Sequence, residues 1–142
     1  MCLRAHLTVP GTSLGPARTR RALRQHLGDV GHETLDDLVL VASELVTNAL
    51  EARAQVIGVE VWVHHGRVQV TVNDSAPGMP TPVCAGEDEV RGRGLAIVGA
   101  LAASWEVHPE PRGKTIASTV VLPRPPPPSL AHCGCEACSC WT

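Results

Sequence analysis

The stretch ETLDDLVLVASELVTNALEAR, residues 33–53, decides the fold, because it carries the strongest helical pattern in the chain. Its apolar residues recur at helical spacing and make one continuous stripe. The members of this stripe are Leu35, Leu38, Val39, Ala42, Val46, Ala49 and Leu50. The pattern predicts an amphipathic helix from about Glu33 to about Arg53 that packs on a core through the stripe.

Glu44 and Asn48 stand four residues apart in this helix, one above the other, on the side opposite the stripe. Leu40 and Val41 lie on the same side, which is unusual for a surface that meets only water. Either a solvated polar face or a site for one ligand accounts for the pair. If a ligand binds there, the carboxylate can take a proton from a hydroxyl and the amide oxygen can bind Mg²⁺. These two capacities together suit phosphoryl transfer.

The segments before and after this helix predict further elements. PARTRRALRQHLG, residues 16–28, predicts an earlier helix that is opened by proline and closed by glycine. The valines of residues 56–74 alternate on both sides of His65 and Gly66, which predicts a hairpin. LAIVGALAA, residues 95–103, predicts a short helix on the sheet.

SWEVHPEPRGKTIASTVVLP, residues 104–123, predicts a last pair of strands around a turn at Pro109 to Gly113. The order helix, helix, strands, loop, helix, strands indicates an α/β (α+β) two-layer sandwich. Its sheet is expected to be mixed but mostly antiparallel, with helices covering one face.

Length and composition limit what this fold can do. The chain has 142 residues, enough for one compact domain, and its net charge is -2 with Lys114 the only lysine. That charge gives no general attraction to nucleic acid or to a membrane surface. Phe and Tyr are absent, so aliphatic residues must fill the interior with help from Trp62 and Trp105. No apolar run has the length of a membrane span or a signal peptide, which predicts a cytoplasmic protein.

The composition changes after Pro123 to a proline run and then a cysteine cluster. We therefore expect one domain over residues 1–123 and a tail over residues 124–142. Four thiols crowd the tail, and they can bind Zn²⁺ or Cu⁺ or belong to an unstructured end without metal. These thiols are Cys133, Cys135, Cys138 and Cys140.

Asp74 ends the second valine-rich strand, and Gly78 follows it in VNDSAPGMP, residues 72–80. A carboxylate at a strand end accepts hydrogen bonds, and the exocyclic amine of adenine is a donor that it can bind. The alternative is an Asp that only starts a turn.

Gly92 and Gly94 can expose backbone N–H groups to phosphate oxygens, and the helix from about Leu95 directs its positive end to the same place. A dinucleotide fingerprint fails here because Ile97 stands where it needs glycine. A P-loop ending at GKT fails because His108 stands where it needs glycine.

In order, SELVTNAL, DSAPGMP, GRGLAIV and GKT resemble the N, G1 and G2 boxes and the final-strand threonine of the GHKL superfamily, whose members share the Bergerat ATP-binding fold. The short length, the SELVTNA wording and the W-x-V…GKT ending are similar to the stand-alone anti-sigma-factor serine kinases, which have a histidine kinase-like ATPase domain. The resemblance implies ATP and Mg²⁺ as ligands.

The resemblance also implies roles for individual residues. Glu44 is then the general base, Asn48 binds Mg²⁺ through ATP, and Asp74 holds the adenine amine with support from Thr115. Residues 75–93 form a lid over the phosphates. The remaining nucleotide-binding residues are Gly78, Gly92, Arg93, Gly94 and Leu95.

The implied activity is that of a protein serine/threonine kinase in transcription regulation. Such a kinase transfers the γ-phosphate of ATP to an anti-anti-sigma factor and sequesters a sigma factor, and a second copy of the chain is a further candidate partner. The sequence departs from the pattern at Ala76, in place of a glycine, and at Glu51 and Ala52, where close relatives commonly carry Arg and His. Two alternatives stay open: a non-catalytic module that binds a partner with or without ATP, and a metal or thiol sensor that works through the tail.

Overall fold

The computed structural model describes residues 2–28, 30–64, 66–74, 99, 102, 104–111 and 113–122. Two helices and five strands follow one another in this part of the chain. They are β1 (Cys2–Pro10), α1 (Leu14–His26), α2 (His32–Glu51), β2 (Val56–His64), β3 (Arg67–Asp74), β4 (Ser104–Glu110) and β5 (Gly113–Val121). Both long helices, the hairpin and the last strand pair agree with the sequence-based expectation. Most of the helix expected over residues 95–103 lies outside the described residues, although Gly99 is helical.

The strands form one sheet in the order β1-β2-β3-β5-β4, and every strand pair that the structure describes is antiparallel. The two described helices pack on one face of this sheet, α1 against β1 and α2 mainly against β3. We call this face the inner face and the opposite one the outer face. The architecture confirms the predicted two-layer α/β sandwich.

Strand β1 is an element that the sequence-based expectation lacks. It forms an edge of the sheet and pairs with β2, from Cys2 opposite Val63 to Pro10 opposite Val56. Ala5 and Val9 of this strand are buried in the core. The strand signal is present in the sequence, because Leu3, Ala5, Leu7 and Val9 alternate with Arg4, His6 and Thr8.

The core between sheet and helices is aliphatic, as the absence of Phe and Tyr requires. Its largest fully buried side chains include Leu23, Leu27, Leu38, Leu45, Ile57 and Ile116. The prediction that Trp62 and Trp105 help to fill the core is wrong. Trp62 alternates with the buried Val61 and Val63, so it lies on the outer face, where its Nε1 donates to Glu60 Oε2 at 2.9 Å. Trp105 is 38% exposed.

Gly11 lies where the β1–α1 turn crosses the connection between α2 and β2. Its N–H donates to the carbonyl oxygen of Gln55 at 2.9 Å. A Cβ at this position would lie 1.7 Å from the carbonyl oxygen of Ala54. The close approach of two backbones therefore requires glycine here.

We expect Gly11→Ala to lower the free energy of unfolding, at the upper end of the range of about 1–3 kcal/mol that overpacking costs. Urea denaturation followed by circular dichroism measures the loss. Gly58→Ala is the matched control, because its new Cβ would come no closer than 3.8 Å to the Asn73 side chain. Equal stability of the two variants would contradict the expectation.

Candidate functional site

The end of α2, the end of β3 and the start of β5 meet at one end of the sandwich. Helix α2 ends at Glu51 and the chain turns at once into β2, so the last turn of the helix lies near the start of that strand. Ile57 of β2 pairs with Asp74 of β3, and Asp74 pairs with Lys114 of β5. This register brings Asn48, Asp74 and Lys114 to the same end of the molecule.

Asn48 is buried in the last turns of α2. Asn48 is 7% exposed, and its Oδ1 has no hydrogen-bond donor among the residues that the structure describes. A buried carbonyl oxygen without a donor is unfavourable, so the position calls for a partner from outside the described residues. A hard cation suits such an oxygen.

The prediction that Glu44 and Asn48 share an outward side of α2 is wrong for Asn48. The helix packs both on α1 and on the sheet, so more than one stripe of it is buried. Val41, expected on the outward side, is fully buried, whereas Leu40 is 41% exposed. The unusual apolar character of that side is therefore explained in part by packing, and Leu40 remains at the surface.

Glu44 is half-buried one helical turn before Asn48. No ion pair or hydrogen bond of its carboxylate is found within the described residues. The neighbouring Ser43 accepts two hydrogen bonds. Its Oγ accepts from Arg20 Nη1 at 3.0 Å, and its carbonyl oxygen accepts from Thr47 Oγ1 at 2.8 Å. These contacts fix the helix backbone beside Glu44.

Asp74 and Lys114 form a buried ion pair on the inner face. Lys114 Nζ lies 3.0 Å from Asp74 Oδ2, and the two side chains are 3% and 1% exposed. The carboxylate faces the helices because β3 alternates, with Val70 and Val72 buried on the same face. Charges in such a place attract strongly but lose their hydration, so each depends on the other.

The structure does not bring Thr115 to Asp74, in contrast to what the resemblance implies. Thr115 Oγ1 accepts from Asn73 Nδ2 at 2.8 Å and donates to Glu110 Oε1 at 2.7 Å. These groups lie on the outer face, because successive side chains of a strand point to opposite sides. Lys114 therefore occupies the inner-face position beside Asp74. Sequence reasoning missed it, because the register of β3 with β5 that places it opposite Asp74 is a tertiary property.

The other expected site residues, Gly78, Gly92, Arg93, Gly94 and Leu95, lie outside the described residues, as do the four cysteines of the tail. Within the described part, no group of three or more His, Cys, Asp or Glu residues could hold a metal ion. No helix in that part is long and apolar enough to cross a membrane.

The chain matches the family model for the histidine kinase-like ATPase domain over residues 15–119. Among solved structures, it is similar to the histidine kinase domain of the Erythrobacter litoralis EL346 blue-light activated histidine kinase, with 22% identity, 80% of this chain and 62% of that chain covered, and a TM-score of 0.49. A longer structure of the EL346 kinase matches with 22% identity, 80% and 42% coverage, and a TM-score of 0.51.

The chain thus spans less than two thirds of the length of either solved chain. The likeness to the longer structure supports the fold. No curated protein matches the chain.

Proposed function

Because the chain belongs to the histidine kinase-like ATPase domain family of GHKL-type ATP-binding proteins, we propose that it binds Mg-ATP where α2 meets β3 and β5. The observation that carries this proposal is Asn48 Oδ1, a buried acceptor without a donor among the described residues. It lies at the same end of the sandwich as Asp74. The adenine amine then donates to the Asp74 carboxylate, and Gly78, Gly92, Arg93, Gly94 and Leu95 frame the rest of the nucleotide.

Asn48 fits the role of a Mg²⁺ ligand because an amide carbonyl oxygen is the hard donor that this cation prefers. When bound, Mg²⁺ neutralises negative charge on the phosphates of ATP. The burial of Asn48 excludes most competing water from its oxygen. The side chain therefore needs no rearrangement of described partners to receive a ligand.

Glu44 is the proposed general base. Its carboxylate takes the proton of a serine hydroxyl while that oxygen attacks the γ-phosphorus of ATP. The bond from the γ-phosphorus to the bridging oxygen breaks, ADP leaves, and the serine becomes a phosphoserine. One helical turn separates the base from Asn48, so a single rigid element positions the nucleotide and the proton acceptor.

The proposed activity is that of an anti-sigma-type serine kinase, which phosphorylates an anti-anti-sigma factor and sequesters a sigma factor. The SELVTNA wording supports it. The exposed Leu40, one turn before Glu44, offers an apolar contact to a protein substrate. These features favour a protein hydroxyl over a small-molecule acceptor.

Incubation of the full chain with γ-labelled ATP and a candidate small partner protein tests the transfer. We expect labelled phosphoserine on the partner and ADP in solution. ATP binding without transfer to any candidate partner would favour a non-catalytic partner-binding module instead.

We expect Asn48→Ala to remove the part of ATP affinity that depends on Mg²⁺. Titration of ATP in Mg²⁺ and in EDTA should show a loss of at least about tenfold, or about 1.4 kcal/mol, in Mg²⁺ only. Ser118→Ala is the matched control, since Ser118 Oγ is also buried and without a partner among the described residues but lies further along β5. An Asn48→Ala protein with an unchanged response to Mg²⁺ would refute the assignment.

A further inference from the structure

Lys114 is a buried cation at the end of the proposed nucleotide site where adenine binds. An ammonium carries three N–H donors, and the described residues provide an acceptor for one of them, Asp74 Oδ2 at 3.0 Å. The side chain is 3% exposed, so water reaches the remaining donors poorly. A buried ammonium with unused donors is unfavourable, and a further acceptor at this place would stabilise it.

The nearest inner-face neighbours of the pair on the described strands are apolar. Ile57 lies opposite Asp74 on the neighbouring strand β2. Val72 lies two residues before Asp74 in β3, and Ile116 lies two residues after Lys114 in β5, both on the inner face. Apolar side chains with one acceptor and one donor between them make a suitable surface for a heterocyclic base. The chemistry of these side chains thus favours recognition of one polar edge of the base.

Adenine presents a donor and an acceptor side by side on such an edge, the N6 amine and the N1 ring nitrogen. Guanine presents O6 and N1–H at the same positions, with donor and acceptor reversed. The described inner face offers Asp74 as the acceptor and Lys114 as the donor. Thr115, one residue further along β5, bonds to Asn73 and Glu110 on the outer face and leaves this role to Lys114.

We propose that Lys114 is a specificity-determining residue that donates a hydrogen bond to N1 of adenine while Asp74 accepts from the N6 amine. The inference rests on the proposed binding of ATP. It assigns to Lys114 a contact with the ligand in addition to its pairing with Asp74. Guanine is rejected because its O6 meets the Asp74 carboxylate where adenine has an amine.

Binding of ATP, 1-deaza-ATP and GTP to the full wild-type chain tests the proposal. In 1-deaza-ATP a C–H replaces N1, so the acceptor is lost while the amine remains. Because hydrogen bonds to charged groups are strong, we expect 1-deaza-ATP to bind roughly 10- to 100-fold more weakly than ATP. GTP should bind more weakly still.

The same titrations on Lys114→Met should show ATP and 1-deaza-ATP binding with equal affinity, because the donor is gone. Thr119→Val, a change on the outer face of the same strand, should keep the full difference between the two nucleotides. Circular dichroism confirms that each variant is folded at the temperature of the titration.

Equal binding of ATP and 1-deaza-ATP to the wild-type chain would overturn the inference and leave the proposed function standing. If folded Lys114→Met still binds ATP more tightly than 1-deaza-ATP, the inference is likewise overturned and the proposed function still stands. A wild-type chain that binds no ATP would overturn both the proposed function and the role of Lys114.

Discussion

A Glu44→Gln variant is expected to lose phosphoryl transfer by about 10²- to 10⁴-fold, the usual contribution of a general base. Glutamine has the same shape but cannot take the proton of the attacking hydroxyl. Mg-ATP affinity should stay within about threefold, because the proposed nucleotide contacts lie on Asn48 and Asp74 rather than on Glu44. Single-turnover production of ADP and phosphoserine, measured beside an equilibrium titration of ATP, separates the two effects.

Glu33→Gln is the matched control for this experiment. Glu33 is an exposed carboxylate in the first turn of the same helix, so its replacement changes the charge of α2 equally. Transfer by Glu33→Gln should equal that of the wild-type chain. If Glu44→Gln transfers phosphate at the wild-type rate, Glu44 is not the base.

The second large effect concerns stability and the buried pair of Asp74 and Lys114. Asp74→Leu alone leaves a buried ammonium, and Lys114→Met alone leaves a buried carboxylate. Each single variant should lose about 3–5 kcal/mol of unfolding free energy. The double variant removes both charges and should recover most of this loss, because apolar side chains of similar volume replace a buried pair at little net cost.

Urea denaturation of the wild-type chain, both single variants and the double variant completes the thermodynamic cycle. The free energy of unfolding of the double variant should be higher than that of either single variant. Additive losses would show that the two charges do not depend on each other, and would contradict the 3.0 Å contact as an energetic unit.

The regular elements could be predicted because local patterns specify them. The apolar stripe of α2 and the alternating valines of β2 and β3 each have one period over many residues. The same information could not show how deeply α2 is buried. A stripe reports one buried side, whereas α1 and the sheet both pack on this helix and Asn48 is buried.

The candidate site could be predicted only in part, because a motif fixes positions along the chain but not the face of a strand. GKT drew attention to Thr115, and a shift of one residue exchanges the inner and outer faces. The register of β3 with β5 places Lys114, and not Thr115, opposite Asp74 on the inner face. Such a pairing between distant segments is a tertiary property that no local pattern contains.

Strand β1 has a consequence for the order in which the molecule can form. Its partner β2 follows it only after both α1 and α2, and the ladder extends to Cys2 opposite Val63. A chain growing on the ribosome cannot complete this edge until residue 63 has been synthesised. The hairpin of β2 and β3, by contrast, closes a short loop as soon as its residues are available. Contact order therefore makes β1, the first of the described strands, wait for its place in the sheet until β2 has been made.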